Sequence, residues 1–384
     1  MGKTKGKEVK SSEKQEDTID IRELLKIMVD RGASDIHLKV GSPPVLRVDG
    51  RLQYIDSDNW RDRRLSPKET EMIAKGIITN PEQMEKFKKT NEADLAYSVS
   101  GIGRFRVCVF CQRGSIGIVL RFVPFEIPEF ETLNLPDVVL RLAEEPRGLI
   151  LVTGQAGSGK STTLAAMIEH INRTRSSHIV TIEDPIEFLH KDKKSIIDQR
   201  EVGLDTLSFH GALRHILRQD PDVILIGEMR DLETITAALS AAETGHLVLS
   251  TLHTIDASQT IERIINFYPP HQHNQIRMQL SLILKGIISM RLLPAATGGQ
   301  VPAVEVLVAT GLVKKLIFEG RTAEITDAIV KGKFYGMQTF NQSLISLYQN
   351  GKITYDEALS AASNPEELKL HLSGIFAGEE SSAF

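Results

Sequence analysis

A glycine-rich segment at residues 154–161 combines residue types that can hold a chain of phosphates. Its sequence, GQAGSGKS, matches the pattern G-x-x-x-x-G-K-[ST], and it lies between an apolar run at residues 149–153 and a helix predicted from Lys160. Glycines let such a loop turn its backbone N–H groups toward phosphate oxygens, and the helix N-terminus adds positive potential. The predicted phosphate-binding residues are Gly154, Gln155, Ala156, Gly157, Ser158, Gly159, Lys160, Ser161 and Thr162.

Two residues of this loop have specific predicted roles in binding ATP and Mg²⁺. The Lys160 ammonium is expected to reach the β- and γ-phosphates, and the Ser161 hydroxyl is expected to bind Mg²⁺. The alternative is a chance glycine-rich turn. That alternative does not explain why a strand precedes the loop and a helix follows it, as phosphate binding requires.

Carboxylates follow two further apolar strands. The predicted strand at residues 222–226 is followed by Gly227 and Glu228. Glu228 is predicted to orient and activate the attacking water. The segment TIEDPIE at residues 181–187 adds three acids, which would repel one another in the absence of a cation. Glu183 and Glu187 are therefore candidate catalytic residues, and Glu187 is also a candidate Mg²⁺ ligand. The alternative reading of this segment is a plain acidic loop.

A histidine and several arginines complete the set of candidate residues. His253 follows another apolar strand, where it could sense the γ-phosphate, although a single histidine is more often structural. Arg106 and Arg121, with Arg104 and Arg113, are candidate arginine fingers that would reach the γ-phosphate of a neighbouring subunit. Their spacing does not place all four on one strand face. The alternative is ordinary surface charge.

The predicted secondary structure that would position these residues differs between successive segments of the chain. Amphipathic helices mixed with short strands predict a small α+β domain at residues 19–124, followed by a proline-rich linker at 125–137. Apolar strands that alternate with helices at 138–310 predict a parallel α/β sheet covered on both faces. We predict a helical region with a disordered end at 311–384, and a disordered tail at 1–18.

Composition argues against several other classes of protein. The chain has 384 residues with 41% apolar and 25% charged residues, and its net charge of -4 disfavours broad nucleic-acid binding. The apolar run at 280–290 is too short to span a membrane and contains Lys285. The only cysteines, Cys108 and Cys111, lack the second pair that a structural zinc site needs, so we interpret them as reduced strand residues. Few cysteines and no export signal predict a cytoplasmic protein.

The four motifs resemble those of the secretion ATPase superfamily, in the same order. Residues 154–161, 181–187, 222–228 and 250–254 are similar to its phosphate loop, Asp box, atypical Walker B strand and His box. Within that superfamily the chain resembles the PilT/PilU family of type IV pilus retraction ATPases. The segments that carry this resemblance are ASDIH at 33–37, RVDG at 47–50, GRFRV at 103–107 and GEMRD at 227–231.

This resemblance implies an architecture and a set of partners. It implies a PAS-like N-terminal domain, a RecA-like P-loop NTPase domain and a homo-hexameric ring, with ATP bound between domains and arginines donated across subunits. The family's members are motors of pilus retraction and twitching motility. They act in the cytoplasm at the inner face of the inner membrane, at the pilus base. The implied partners are an inner-membrane platform protein of the PilC type and a paralogous retraction ATPase, with membrane association only through partners.

Several alternatives to a retraction motor remain open. Type II secretion and pilus-assembly ATPases typically carry a tetracysteine zinc element, which two cysteines cannot build. Many PilT sequences carry AIRNLIRE where residues 312–319 here read LVKKLIFE, and GMQTFN at 336–341 is more similar to PilU, so an accessory role is an alternative. A ring subunit with little turnover would lack Lys160 or Glu228, and the acidic composition disfavours a DNA-translocating motor.

Overall fold

The computed structural model describes residues 19–48, 50–56, 60–61, 63–123 and 127–372. The chain divides into two compact units, Met1–Val123 and Pro124–Phe384. Three predicted features fall wholly or partly outside the described residues: the tail at 1–18, the first two residues of the linker, and the end at 373–384.

The N-terminal unit is a six-stranded antiparallel sheet packed against helices. The strand order is β3-β2-β1-β6-β5-β4. Helix α2 begins after Ser66, which forms a capping box with Glu69, and α1 buries Leu24, Leu25 and Met28 in the core. The elements are α1 (Ile21–Asp30), β1 (Asp35–Leu38), β2 (Val45–Val48), β3 (Arg51–Tyr54), α2 (Pro67–Ile77), α3 (Pro81–Thr90), β4 (Glu92–Val99), β5 (Gly103–Gln112) and β6 (Ser115–Val123).

Strand register in this unit groups residues that are distant in sequence. Arg106 on β5 lies directly opposite Arg121 on β6, and Arg104 shares the Arg106 face because it is two residues away. Arg113 lies in the turn between the strands, with φ 50°. Three of the four candidate arginines therefore share one face, which their spacing in sequence did not show. Cys108 and Cys111 both lie within β5, as predicted.

The C-terminal unit is built on a seven-stranded sheet with the order β13-β12-β7-β11-β10-β8-β9. Neighbouring strands are parallel except β12 and β13, which are antiparallel. The predicted α/β fold with a parallel sheet is confirmed. The strands are β7 (Gly148–Thr153), β8 (His178–Glu183), β9 (Ile196–Glu201), β10 (Val223–Ile226), β11 (Leu247–Leu252), β12 (Leu284–Pro294) and β13 (Gln300–Val308).

Helices cover both faces of this sheet. Buried residues of α4 and α5 pack with the sheet residues Ile150 and Val152, whereas Leu149 and Leu151 pack on the other face with α6 to α11. The helices are α4 (Val138–Ala143), α5 (Lys160–Thr174), α6 (Phe209–Ile216), α7 (Leu232–Glu243), α8 (Ala257–Asn266), α9 (His273–Ile283), α10 (Gly311–Glu319) and α11 (Ile325–Lys331).

Three short helices close the described chain: α12 (Phe340–Gln349), α13 (Tyr355–Ala361) and α14 (Pro365–Leu372). They form a separate apolar cluster with Leu293 of β12 and Val301 of β13. The apolar run at 280–290 divides between the end of α9 and the start of β12. Within the described ranges, the helices are all too short or too polar to cross a membrane.

Candidate functional site

The glycine-rich segment forms a tight loop between β7 and α5. Gly154 has φ 142°, and a Cβ built on it would lie 2.5 Å from the Met290 carbonyl oxygen, so only glycine fits there. Gly159 has φ 95° and precedes the first residue of α5. Among the described residues, no side chain caps the N–H groups at this helix start. The loop therefore presents uncapped donors and the positive end of a helix.

Lys160 is buried at the first position of α5, with 9% of its surface exposed. Its Nζ donates hydrogen bonds to the carbonyl oxygens of Gly154 and Gln155, both at 2.8 Å. Burial lowers the pKa of Lys160, and the charges of Glu228 and Glu187 partly oppose that shift. An ammonium carries three donors, so one donor remains for a phosphate oxygen.

Glu228 follows β10, and its carboxylate contacts Arg230 and His253. Arg230 Nη2 lies 2.8 Å from Glu228 Oε2, and His253 Nε2 lies 3.2 Å from Oε1. Burial alone would raise the pKa of Glu228, but the Arg230 hydrogen bond and the nearby His253 and Arg230 charges outweigh it and lower the pKa. The carboxylate therefore stays ionised and can accept a hydrogen bond from water.

Gly227 allows the ends of β10 and β8 to approach closely. Its N–H donates to the Ile182 carbonyl at 2.8 Å, and a Cβ at this position would lie 3.3 Å from the Glu183 Cα. An acidic side chain before Glu228 would meet the backbone of β8. Glycine at this position therefore lets the end of β10, which carries Glu228, lie directly against the segment that carries Glu183.

Glu183 and Glu187 differ in environment. The Glu183 carboxyl accepts hydrogen bonds from Thr181 Oγ1 at 2.7 Å and Gln199 Nε2 at 3.1 Å. Burial raises the pKa of Glu183, and the neighbouring Glu187 charge acts in the same direction. Burial favours the neutral form of Glu183 and so reduces the repulsion that the sequence predicted for this segment, although the two hydrogen bonds act in the opposite direction. Glu183 is the poorer candidate for an ionised base, because its neutral form is favoured.

The motif segments meet at one cleft of about 260 Å³ at the carboxyl ends of the parallel strands. Ala156, Gly157, Lys160 and Ser161 line one side, while Glu183, Glu187, Glu228 and His253 line the other. Arg106 and Arg121 belong to the N-terminal unit. Arg121 Nε donates to Asp35 Oδ1 at 2.8 Å, and Asp35 is buried, so Arg121 has a structural contact within its own unit.

Sequence reasoning missed several residues of the cleft. Arg230 lies in the GEMRD segment at 227–231, but no role was predicted for it. Its position two residues after the strand-end acid Glu228 was the available signal for an ion pair. Phe188, His190 and Phe209 also line the cleft. Burial lowers the pKa of His190 to about 4, so this imidazole is neutral near pH 7. Phe188 and His190 directly follow the segment at 181–187, which was the available signal, whereas only the fold brings Phe209 to the cleft.

The residues present fit a nucleotide and Mg²⁺. The uncapped start of α5 and the buried Lys160 ammonium suit a phosphate chain. Ser161 offers a hydroxyl oxygen and Glu187 offers carboxylate oxygens. Mg²⁺ binds oxygen ligands of this kind together with the phosphate oxygens of a nucleotide. Within the described part of the chain, no group of three or more His, Cys, Asp or Glu residues is arranged to hold a metal ion.

Sequence comparisons place this chain among characterised relatives. The sequence profile of the Type II/IV secretion system protein family matches residues 11–335. The type IV pilus ATPase PilU of Pseudomonas aeruginosa is 44% identical over 366 residues, which are 95% of this chain and 94% of PilU. The type IV pilus retraction ATPase PilT of the same organism is 45% identical over 350 residues, which are 91% of this chain and 99% of PilT.

A solved structure agrees with these sequence comparisons. The crystal structure of the pilus retraction motor PilT with bound ADP superimposes with a TM-score of 0.85 at 49% identity, covering 91% of this chain and 99% of that one. The predicted family resemblance and the predicted fold class are both confirmed. The chain belongs to the Type II/IV secretion system protein family, in the group that contains PilT and PilU.

Proposed function

We propose that this chain is an ATP-hydrolysing motor that powers retraction of type IV pili. The observation that carries the proposal is the cleft that joins the phosphate loop, with Lys160, to the strand-end carboxylate Glu228. The names of the relatives support it, since PilT is a retraction ATPase and its solved structure holds ADP. A binding subunit without turnover would not need Glu228, Arg230 and His253 in this arrangement.

The side chains suggest how hydrolysis proceeds. Lys160 and the start of α5 bind the phosphates and stabilise negative charge that develops on them. Arg230 and His253 fix the Glu228 carboxylate, which orients a water toward the γ-phosphorus and accepts its proton. Ser161 and Glu187 would hold Mg²⁺, which supplies charge neutralisation at the phosphate oxygens. His253 links Glu228 to the end of β11, so it is placed to transmit a change at the phosphate.

The quaternary structure and cellular setting belong to the same proposal. The active form is a homo-hexameric ring, in which Arg106 of one subunit serves the site of its neighbour. The ring acts in the cytoplasm at the base of the pilus. There it contacts an inner-membrane platform protein of the PilC type and reaches the membrane only through partners.

A second candidate is an accessory retraction subunit that works with a paralogous motor. The alignment with PilU supports it, because that alignment covers 95% of this chain at 44% identity. The identity to PilT is nearly the same, at 45%. Sequence similarity therefore favours neither role, and both roles use the same catalytic cleft.

The decisive test is deletion of the gene, followed by imaging of pili and measurement of twitching. The retraction proposal expects surplus pili that no longer retract, with rescue by the wild-type gene and by Glu233→Gln, an exposed acid of α7. Glu228→Gln is expected not to rescue. An accessory subunit is indicated if rescue also requires the paralogous ATPase. Loss of pili on deletion would contradict retraction and favour an assembly ATPase.

A further inference from the structure

Glu228 lies just beyond the regular part of the parallel sheet. Strand β10 ends at Ile226, whose partner in the register with β11 is Ser250. The described residues 227–230, which follow, belong to neither a helix nor a strand. A carboxylate that must orient a water needs a main chain held in one conformation, and outside regular structure other contacts must provide that restraint.

Thr251, the residue after Ser250 on β11, bonds to the main chain on both sides of Glu228. Its Oγ1 donates a hydrogen bond to the Gly227 carbonyl oxygen at 2.6 Å. Its own carbonyl oxygen accepts a hydrogen bond from the Met229 N–H at 3.2 Å. The first bond restrains the peptide group before Glu228 and the second restrains the peptide group after it. Because the orientations of these two planar groups define φ and ψ of Glu228, Thr251 restrains both angles.

The partners of these two bonds are themselves held in place. Thr251 is 5% exposed and pairs with Val152 of the central strand β7. The Gly227 N–H donates to the Ile182 carbonyl of β8 at 2.8 Å. The Met229 side chain is 1% exposed and packs in the apolar core. The restraint on Glu228 is therefore anchored in the buried sheet and core.

The Thr251 hydroxyl is committed to the protein rather than to a ligand. Thr251 lines the catalytic cleft together with Glu228 and His253. A hydroxyl carries a single hydrogen, so Thr251 cannot donate to a phosphate oxygen while it donates to Gly227. His253, two residues further along, contacts the Glu228 carboxylate itself at 3.2 Å. Residues 251–253 thus hold Glu228 at its main chain and at its side chain.

We propose that Thr251 is a positioning residue for ATP hydrolysis, which fixes the main chain at Glu228 so that the carboxylate is aimed at the attacking water. This inference rests on the proposed ATPase function. Loss of the hydroxyl removes the donor from the Gly227 carbonyl and frees the peptide group before Glu228. A displacement of about 1 Å in a reacting group can lower a rate by about 100-fold, so kcat should respond strongly.

The first test replaces the hydroxyl by a methyl group of similar size in Thr251→Val, on the full chain. Its kcat should fall roughly 10- to 100-fold because Glu228 loses its alignment. Its Kd for ATP, measured by calorimetry, should stay at the wild-type value, because the phosphate loop is untouched. Thr251→Ser keeps the hydroxyl and should recover most of the lost kcat.

Thr70→Val is the matched control for loss of a buried hydroxyl. Thr70 is 0% exposed, and its Oγ1 donates to the Pro67 carbonyl at 3.1 Å in the N-terminal unit. This variant should change neither kcat nor the Kd for ATP. If Thr251→Val misfolds by circular dichroism, Thr251→Ala removes the same hydroxyl without adding an apolar group beside the Gly227 carbonyl.

The second test combines Thr251→Val with Glu228→Gln in single-turnover measurements. A glutamine amide accepts no proton, so its alignment no longer matters. Thr251→Val should then lower the rate by less than about twofold in that background. An equal fall in both backgrounds would overturn the inference, since Thr251 would then act independently of Glu228.

The remaining outcomes separate this inference from the proposed function. Wild-type kcat in a folded variant without the hydroxyl, or a weakened Kd for ATP with unchanged kcat, overturns the positioning role. If Glu228→Gln is inactive in the same assays, the proposed ATPase function still stands. A wild type that does not hydrolyse ATP overturns the proposed function and this inference together.

Discussion

Lys160 illustrates how a single residue can combine structural and chemical roles. Its ammonium is buried, and it donates hydrogen bonds to two loop carbonyls at 2.8 Å. Under the proposed function, this positioning would reduce the cost of reorganisation on phosphate binding. Lys160 is the only charged residue in the loop sequence at 154–161.

Lys160→Ala should abolish ATP turnover, since it removes the phosphate contact and leaves two loop carbonyls without their donor. Steady-state phosphate release measures the effect, with Lys315→Ala on the exposed surface of α10 as a control that should retain wild-type activity. Wild-type turnover in Lys160→Ala would show that the site assignment is wrong.

Glu228→Gln should preserve nucleotide binding and lower kcat by roughly two to four orders of magnitude, because the amide keeps the shape but cannot accept a proton. Single-turnover kinetics and a separate binding measurement distinguish the two effects. Glu233→Gln should leave both unchanged. If Glu228→Gln hydrolyses ATP normally, the base must be sought at Glu187 or Glu183.

At the scale of elements, β13 carries a buried acid that supports the neighbouring helix α8. Glu305 is 6% exposed, and its Oε1 accepts a hydrogen bond from the Ala257 N–H at 2.9 Å. Burial raises the pKa of Glu305 to about 7, and the Asp256 charge adds to the rise, while the Ala257 hydrogen bond and Arg291 oppose it. Between about pH 4.5 and pH 7, Glu305 is therefore protonated in the folded state and ionised in the unfolded chain.

Glu305→Gln should remove a pH dependence of stability. The folded pKa exceeds the ordinary value of 4.5, so wild-type unfolding free energy should fall as pH rises from about 4.5 to about 7 and then level off. A shift of this size corresponds to about 3 kcal/mol. The unfolding free energy of Glu305→Gln, measured relative to that of the wild type, should therefore increase by roughly that amount as the pH rises from 5 to 8.

Urea unfolding followed by circular dichroism at pH 5 and pH 8 measures this difference. Tryptophan fluorescence is unsuitable, because the single tryptophan, Trp60, is buried in the N-terminal unit. Glu233→Gln is the control and should parallel the wild type. An equal pH dependence in Glu305→Gln and wild type would show that Glu305 is ionised in the folded protein.

At the scale of the whole molecule, the proposed ring makes each site depend on two subunits. Arg106 is the better probe of this dependence, because Arg121→Ala would remove one of the hydrogen bonds to buried Asp35, at 2.8 Å, and destabilise the N-terminal unit. Arg106→Ala protein should bind ATP yet hydrolyse it poorly.

Mixing Arg106→Ala protein with Glu228→Gln protein should restore part of the ATPase activity. Some interfaces in a mixed ring would join an intact Glu228 to an intact Arg106 from the neighbouring subunit. Activity is measured against each inactive parent, after native mass spectrometry has shown that mixed rings form. Absence of recovery in such rings would show that Arg106 acts within its own subunit or only structurally.

Some of the site was predictable because it is local. The phosphate loop is contiguous, its glycines meet backbone requirements at Gly154 and Gly159, and the strand before it and helix after it follow from apolar patterning. The strands β10 and β11 were predictable for the same reason, as was the helical character of the described chain from Gly311 to Leu372. The edge strand β3 was missed, because its four residues are all exposed and the alternation of Leu52 and Tyr54 with polar residues is too short to identify a strand.

The sequence by itself predicted which residues would bind phosphate and determined which acids and histidine follow the strands, since each feature depends on neighbours along the chain. Only the tertiary structure decided how they combine: Glu228 between Arg230 and His253, Glu183 hydrogen-bonded to Gln199, and Arg106 opposite Arg121. The two hydrogen bonds of Thr251 that flank Glu228 belong to the same class. The physical reason is that strand order and register arise from burial of the whole sheet, which no local periodicity encodes.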